Sequence, residues 1–392
     1  MNQEDIKAYL EDTNQKAAIE ELLTDIETAQ QGYLPIWATG FTQLDDKLDG
    51  GFLGGNLILV GAISSLGKTT FTMQIAENMA TAGKDVLIFS LEMSKNELNA
   101  KSISRNTYRL TADDKDREQK NRQKYRLSMG DILRGRVGSI GDDKRKLFDE
   151  ALEETQKANE HIFILRNNKV SVEMVETAIQ THIEARKTKP FVIIDYLQIL
   201  KPSKDSKSND KRLLTDEDVN NLKDMAVRYQ IPIMVISSFN RASYLDPVSM
   251  GSFKESGSIE YSSDTLIGLQ YSGMEYKRHW LTKKNGSREL VYESKEKHIN
   301  RVRTVAEEMD KKGAEGEFLP IDVILLKNRG VTKGKIHFEF CPRYNIFKEA
   351  DLGGIMVGGV LIYEWDPEEY EDESMKPSED KKGKEKPSLG KV

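Results

Sequence analysis

The stretch GAISSLGKTT at residues 61–70 follows the apolar run NLILV and precedes FTMQIAENMA. A strand-like run that breaks into a small polar loop and then opens a helix leaves few folds open. The loop's backbone N–H groups face little side-chain obstruction, and they converge on the positive end of the helix. Ala62, Gly67, Lys68 and Thr69 occupy the pattern [AG]-x4-G-K-[ST]. That pattern suits a nucleotide triphosphate. Amides around Gly67 can wrap the phosphates, the Lys68 ammonium can reach the β and γ oxygens, and the Thr69 hydroxyl can ligate Mg²⁺. Ser65 and Thr70 complete the candidate cradle, and a side chain at Gly67 would block the close approach. Gly-Lys-Thr alone could be a chance glycine turn, but here it stands between a strand and a helix, as the chemistry requires.

Strands and helices alternate from there on. VLIFSLEM, HIFIL at 161–165, FVIIDYLQIL after Pro190 and IPIMVISSF from Ile231 are apolar runs. Helical patterns at 71–82, 171–187 and 217–229 lie among them, and Gly83 ends the first. Runs this continuously apolar suit strands buried on both faces, so the pattern predicts an α/β fold with a mostly parallel central sheet flanked by helices.

A phosphate loop needs a second carboxylate on the magnesium side, at the end of another buried strand. FVIIDY supplies Asp195. A lone Asp after a strand is more often a turn or cap residue, so Asp195 takes its meaning from Lys68 and Thr69. Glu92, at the end of VLIFSLE, can polarise an attacking water, provided its strand lies beside that of Asp195.

Composition limits the alternatives. With 31% charged and 38% hydrophobic residues, and no apolar run long enough to span a bilayer, the chain reads as a globular protein with polar insertions. The opening MNQEDIKAYLEDTNQ is too acidic for a secretory signal, which points to a cytoplasmic location in a bacterial, phage or mobile-element host. Cys341 is the single cysteine, and the five histidines lack metal-binding spacing, so a metal must arrive with its ligand. A net charge of −6 argues against coating nucleic acid with the whole surface, but leaves local basic patches free to do so. Residues 1–34 read as a helical linker or interaction segment, with Ile6, Leu10, Ile19, Leu22, Leu23 and Ile26 at helical spacing. Such a helix either covers its own domain or docks on a neighbouring subunit. Residues 35–350 form the main domain, with charged insertions near 106–150 and 272–317. Residues 351–392 form an extension expected to be disordered from about 366.

Taken in order, TGFTQLDDKLDGG, GAISSLGKTTF, VLIFSLEMS, FVIIDYLQIL, IPIMVISSFNR, KESGSIE and LLKNRG resemble the RecA-like motor domain of DnaB-type replicative helicases across about residues 38–350. The first two also occur in recombinases and clock-type ATPases, whereas SLEM, IDYLQ and ESGSIE in succession are more specific. The resemblance implies a RecA-like P-loop NTPase that uses ATP and Mg²⁺, works as a homo-oligomeric ring of six and moves on single-stranded DNA. It implies that Lys68 and Thr69 bind ATP and Mg²⁺, that Glu92 is the catalytic glutamate, and that Asp195 and Gln198 sit at the magnesium and relay side. Lys327 and Arg329 in LLKNRG would reach the ATP site of the next subunit, Arg329 as an arginine finger. Lys254, Glu255 and Gly257 of the ESGSIE motif, with Arg241 and the lysine-rich segment 201–212, would face DNA. By composition alone, the basic pair reads as a solvated edge strand and the lysine-rich segment as a surface loop.

Two departures bear on function. Where the family has Ser-Gln-Leu-Asn-Arg, this chain has Ser237, Ser238, Phe239, Asn240 and Arg241. Ser238 is too short to sense a γ-phosphate as a glutamine does, which questions the coupling of hydrolysis to movement. The family's N-terminal collar, which receives primase, has no counterpart in residues 1–34, and the sequence does not identify a loader or other replication partner. The alternatives are a recombinase-like or regulatory DNA-binding ATPase that does not unwind, and a scaffold that nucleotide merely holds together.

Overall fold

The computed structural model describes residues 36–113, 115–166, 170–195, 211–253, 261–282, 287–329 and 333–350, with helical residues 19–20, 23–24 and 26–27 and the strand residues 356–357 and 360–361. Two compact units divide the chain at Ala350 and Asp351. The described residues of the second form an antiparallel pair, Met356–Val357 with Val360–Leu361.

From Ile36 the first unit runs through β1 (Ile36–Trp37), α1 (Thr42–Lys47), β2 (Phe52–Leu53), β3 (Leu57–Ala62), α2 (Lys68–Thr81), β4 (Val86–Ser90) and α3 (Lys95–Arg109). It continues with α4 (Arg117–Arg122), α5 (Met129–Leu133), α6 (Asp143–Asn159), β5 (Ile162–Leu165), α7 (Val172–Arg186), β6 (Phe191–Asp195), α8 (Lys211–Tyr229) and β7 (Ile233–Ser238). The last elements are β8 (Thr265–Tyr271), β9 (Arg278–Thr282), β10 (Arg288–Tyr292), α9 (Lys295–Glu315), β11 (Leu319–Asn328), β12 (Gly334–Cys341) and β13 (Ile346–Glu349).

Nine strands form one sheet in the order β13-β12-β11-β8-β3-β7-β6-β4-β5. From β8 to β5 every neighbouring pair is parallel. β11, β12 and β13 extend the β8 edge with antiparallel pairs. The expected mostly parallel sheet is present, and the antiparallel extension is an addition that the continuous apolar runs did not announce. β12 alternates buried with half-buried residues, the signature of a strand that covers a core with one face only.

All residues of β3 are buried. On one face Leu57, Leu59, Val192, Ile194, Ile233 and Val235 pack with Val175 and Ile179 of α7 and with Val219, Leu222, Met225 and Ala226 of α8. Strand side chains alternate, so Ile58 and Val60, both 0% exposed, face the opposite layer that holds α2. Between α2 and the antiparallel edge lies an aromatic seam. Phe71 of α2 meets Phe338 edge-on at 5.8 Å and Phe347 at 5.3 Å, while Phe340 and Phe347 stack at 4.2 Å. Helix α3 starts at a capping box of Ser94 and Glu97 and carries the fully buried Arg105, whose Nη1 lies 2.5 Å from Glu77 Oε2 on α2. Within the charged stretch 106–150, Leu127 and Leu147 are buried.

Candidate nucleotide site and a distant basic pair

The phosphate-loop residues gather at the C-terminal ends of the parallel strands. β3 ends at Ala62 and α2 begins at Lys68. The helix therefore starts three residues earlier than apolar periodicity marks it, because Lys68, Thr69 and Thr70 carry no apolar signal. Gly67 caps α2 in the left-handed region, with φ +88°, and supplies no side-chain cap. First-turn N–H groups of a helix have no intrahelical acceptor, so this end can receive an anion. Ser65 also has positive φ, at 65°. The glycine serves a purpose beyond phosphate access, since a Cβ on Gly67 would stand 2.8 Å from Phe340 Cζ. The loop rests on the aromatic seam.

Lys68 Nζ donates to the carbonyl oxygens of Ala62 (3.1 Å) and Ile63 (2.9 Å), which arches the ammonium over the loop. Thr69 Oγ1 donates to Asp195 Oδ2 at 2.9 Å. These two groups, more than a hundred residues apart in the chain, are brought together by the fold as the motif pairing expects. Burial pushes the Asp195 carboxyl up to about 6, with the Thr69 hydrogen bond pulling the other way. β4 lies beside β6, with Ser90 opposite Asp195, so the condition set for Glu92 is met. Glu92 is exposed, just past the end of β4.

No sequence motif marks Lys101. Its Nζ donates to Thr70 Oγ1 at 2.9 Å, and burial lowers its pKa to about 8 while Asp195 and Glu92 pull it upward. The available signal was its spacing: Lys101 follows Glu97 by four residues, on the face of α3 that begins at the capping box.

Ser238 ends β7 opposite Ala62, and Phe239 N–H donates to the Ala62 carbonyl at 3.2 Å. Behind it, Tyr244 Oη lies 3.1 Å from Ser64 Oγ of the loop. Arg241 is exposed on the short 3-10 turn Arg241–Ser243 that follows β7. Gln198, Lys254, Glu255 and Gly257, and positions 201–210 of the lysine-rich segment, lie outside the described residues.

The basic pair lies elsewhere. Arg329 N–H donates to the Asp264 carbonyl at 3.0 Å, and Asp264 N–H donates to the Leu57 carbonyl at 2.9 Å. Arg329 therefore sits at the N-terminal end of β3, whereas the phosphate loop leaves the C-terminal end. The strand between them rises ~17 Å, further than one side chain extends. A register shift in β11 between Leu325 and Lys327 re-aims this end of the strand, and Lys327 Nζ donates to the Tyr261 carbonyl at 3.4 Å.

Among the described residues, no group of three or more His, Cys, Asp or Glu side chains converges on a possible metal position, and no helix is long and apolar enough to cross a membrane. Ile19, Leu23 and Ile26, all helical, are 55%, 53% and 43% exposed.

Comparison with known proteins agrees with this arrangement. The DnaB-like helicase C terminal domain model matches residues 37–349. Replicative DNA helicase DnaB of Helicobacter pylori is 26% identical over 342 residues, covering 83% of this chain and 62% of the relative. The DnaB of Geobacillus stearothermophilus is 26% identical over 323 residues, covering 79% of this chain and 55% of the relative. The chain thus spans little more than half the length of these relatives. Among solved structures, the ATPase domain of G40P superposes with a TM-score of 0.61 at 22% identity, covering 85% of this chain and 98% of that one. A DnaB-like replicative helicase studied for its interactions with primase gives a TM-score of 0.60 at 22% identity, covering 85% and 66%. A model matching nearly the whole first unit, over a sheet whose strand ends gather Lys68, Thr69 and Asp195, places the chain in the DnaB-like helicase C terminal domain family.

Proposed function

We propose that the chain is an ATP-hydrolysing motor that assembles into a homo-oligomeric ring, six copies being the family's habit, and translocates on single-stranded DNA to separate strands. One observation carries this reading. Lys68, Thr69 and Asp195 lie at one end of β3, and Arg329 lies at the other. A finger so far from its own phosphate loop can serve only the loop of another copy, so a complete site needs an interface.

In this reading the first-turn amides of α2 and Ser65 hold the phosphates, and Lys68 moves from the loop carbonyls onto the β and γ oxygens. Thr69 and Asp195 fit a Mg²⁺, because a hydroxyl and a buried carboxylate already 2.9 Å apart are oxygen donors of the right type. That ion would supply charge neutralisation on the phosphates. Glu92 orients and deprotonates the attacking water, and Lys327 and Arg329 of the adjoining copy stabilise charge spreading over the transferred phosphoryl group. The Arg241 and Lys254 side chains, backbone amides at Glu255 and Gly257, and the lysine-rich segment contact DNA phosphates, which carry little sequence information and suit a motor that must pass any sequence. The exposed face of Ile19, Leu23 and Ile26 docks the helical linker on a neighbouring copy.

Ser238 favours a second reading. It stands opposite Ala62, where a longer side chain could sense the phosphate. A DNA-stimulated ATPase that does not unwind would follow from its shortness. Steady-state ATPase with and without single-stranded DNA, followed by a forked-duplex assay, separates the two. Stimulated hydrolysis with strand separation supports the helicase, stimulated hydrolysis alone the second reading, and no hydrolysis under any magnesium and DNA condition rejects both.

A further inference from the structure

Asp264 is 3% exposed and lies just before β8, within the interior of the sheet end. Its carboxylate accepts from Leu57 N–H at 2.8 Å and from Lys223 Nζ of α8 at 2.7 Å, and Arg329 Nη1 donates to it at 3.2 Å. Its carbonyl accepts from Arg329 N–H. Asp264 therefore grips Arg329 twice, by backbone and by side chain, and is itself fixed to the first residue of the phosphate-loop strand.

A structural ion pair is the ordinary explanation of a buried carboxylate beside two cations, because a buried charge without partners is costly. The two cations are not equivalent, however. The Lys223 side chain is 22% exposed, also donates to the Gly55 carbonyl at 2.8 Å, and suffices to neutralise the carboxylate. The Arg329 side chain is 74% exposed. A pair with so exposed a partner contributes little to stability. What the contact does accomplish is to restrict Arg329. A guanidinium carries five donors in a rigid fork, so one nitrogen held by Asp264 leaves the opposite edge to meet phosphate oxygens.

We infer that Asp264 is a positioning residue for hydrolysis in trans: it holds one edge of the Arg329 guanidinium so that the other edge is presented to the nucleotide bound by an adjoining copy. This rests on Arg329 being the finger. Fixing a long, flexible side chain before the transition state forms removes an ordering cost that would otherwise be met during the reaction. Asp264 touches no nucleotide in this scheme, so its loss lowers kcat and leaves KM for ATP nearly unchanged.

The test is Asp264→Asn in the full chain, with Arg329→Ala and Lys68→Ala as companions. Asp264→Asn is expected to lower kcat about 2- to 5-fold, the worth of a largely exposed pair, with KM essentially that of the parent. Mixing the Asp264→Asn and Lys68→Ala proteins should then recover hydrolysis, since one lends a sound phosphate loop and the other a sound finger. A subunit merely damaged in its own fold would lend neither. If Arg329→Ala keeps full hydrolysis, or its mixture with Lys68→Ala recovers none, the finger reading fails and the inference with it. If those controls behave as expected but Asp264→Asn has the parent's kcat, raises KM alone, or is not rescued in the mixture, the inference alone is overturned. Should Asp264→Asn not fold, Asp264→Glu keeps the charge at a longer reach. The same kcat loss and rescue are expected of it, and a slow enzyme without rescue counts against the inference.

Discussion

Gly67→Ala tests the loop's foundation with a magnitude that can be worked out in advance. Gly67 has φ +88°, a conformation that costs a residue bearing a Cβ roughly 1–2 kcal/mol. The added Cβ would also meet Phe340 Cζ at 2.8 Å and Phe347 Cζ at 3.0 Å. Neither ring can retreat easily. They stack on each other at 4.2 Å with 11° between planes, Phe347 packs on Phe71, and the pair are 3% and 1% exposed. Crowding a packed core in this way costs about 1–3 kcal/mol more, for a total of about 2–5 kcal/mol. Gly83→Ala isolates the first contribution, because Gly83 has φ +77° and nothing within 4 Å of its hypothetical Cβ. In a domain of this size each kcal/mol moves the melting temperature by about 2 °C. Calorimetry of the nucleotide-free protein should therefore show losses of about 4–10 °C for Gly67→Ala and about 2–4 °C for Gly83→Ala. Equal shifts would mean that the aromatic floor does not constrain the loop.

Lys68→Ala should remove ATP hydrolysis and strand separation together, read by phosphate release and a forked duplex; parent-level hydrolysis would dismiss the phosphate-loop assignment. Glu92→Gln should leave nucleotide affinity within a few fold while lowering kcat about 10²- to 10⁴-fold, measured by a binding titration beside turnover. Glu77→Ala strands the buried Arg105 and should cost about 3–5 kcal/mol in denaturant unfolding, far from the chemistry. Asp218 on α8 gives a pH signature: burial, then Glu217 and Glu173, raise its pKa to about 7. A carboxyl whose folded value is raised contributes stability below its ordinary value near 4 and loses it as pH rises through about 7. Asp218→Asn should therefore melt higher than the parent at pH 8, with the difference vanishing at pH 4. A gap that widens on acidification would reverse the sign of the argument.

The parallel part of the sheet was legible because strands buried on both faces leave unbroken apolar runs, and β3, β4, β6 and β7 do so. β8, β12 and β13 were not read, since TLIGLQY and GKIHFEFC mix polar residues into strands whose partners are set by tertiary contact. Lys68, Thr69 and Asp195 could be paired in advance because a magnesium-bound triphosphate calls for an ammonium on its phosphates and a hydroxyl and a carboxylate on its cation. No such demand announces Lys101, Phe340 or Asp264. Their significance is purely spatial: Asp264 meets Leu57, Lys223 and Arg329, residues scattered over most of the chain.

These spatial contacts tie β3 at one end to Lys68 and at the other, through Asp264, to Arg329. Its last residue, Ala62, leads into the loop and accepts from Lys68, while its first, Leu57, exchanges two hydrogen bonds with Asp264. Every residue between is buried and paired on both sides. Close-packed interiors transmit displacement rather than absorb it, so a shift of Lys68 from the loop carbonyls toward phosphate would pull on the strand that anchors Arg329, the proposed finger. In a ring each copy would then sense its own nucleotide at one end of β3 and offer Arg329 to its neighbour's at the other, giving hydrolysis a direction around the ring without a separate relay. Ser238 sharpens the consequence. On the proposed reading, a side chain as short as that of Ser238 opposite Ala62 would weaken the route through β7, leaving the route through β3 and Asp264. Coupling between neighbouring sites should therefore be more sensitive to Asp264→Asn than to Ser238→Gln. Cooperativity of hydrolysis against ATP concentration measures it, and a Hill coefficient that falls with neither substitution, or only with the second, would show that β3 carries no signal.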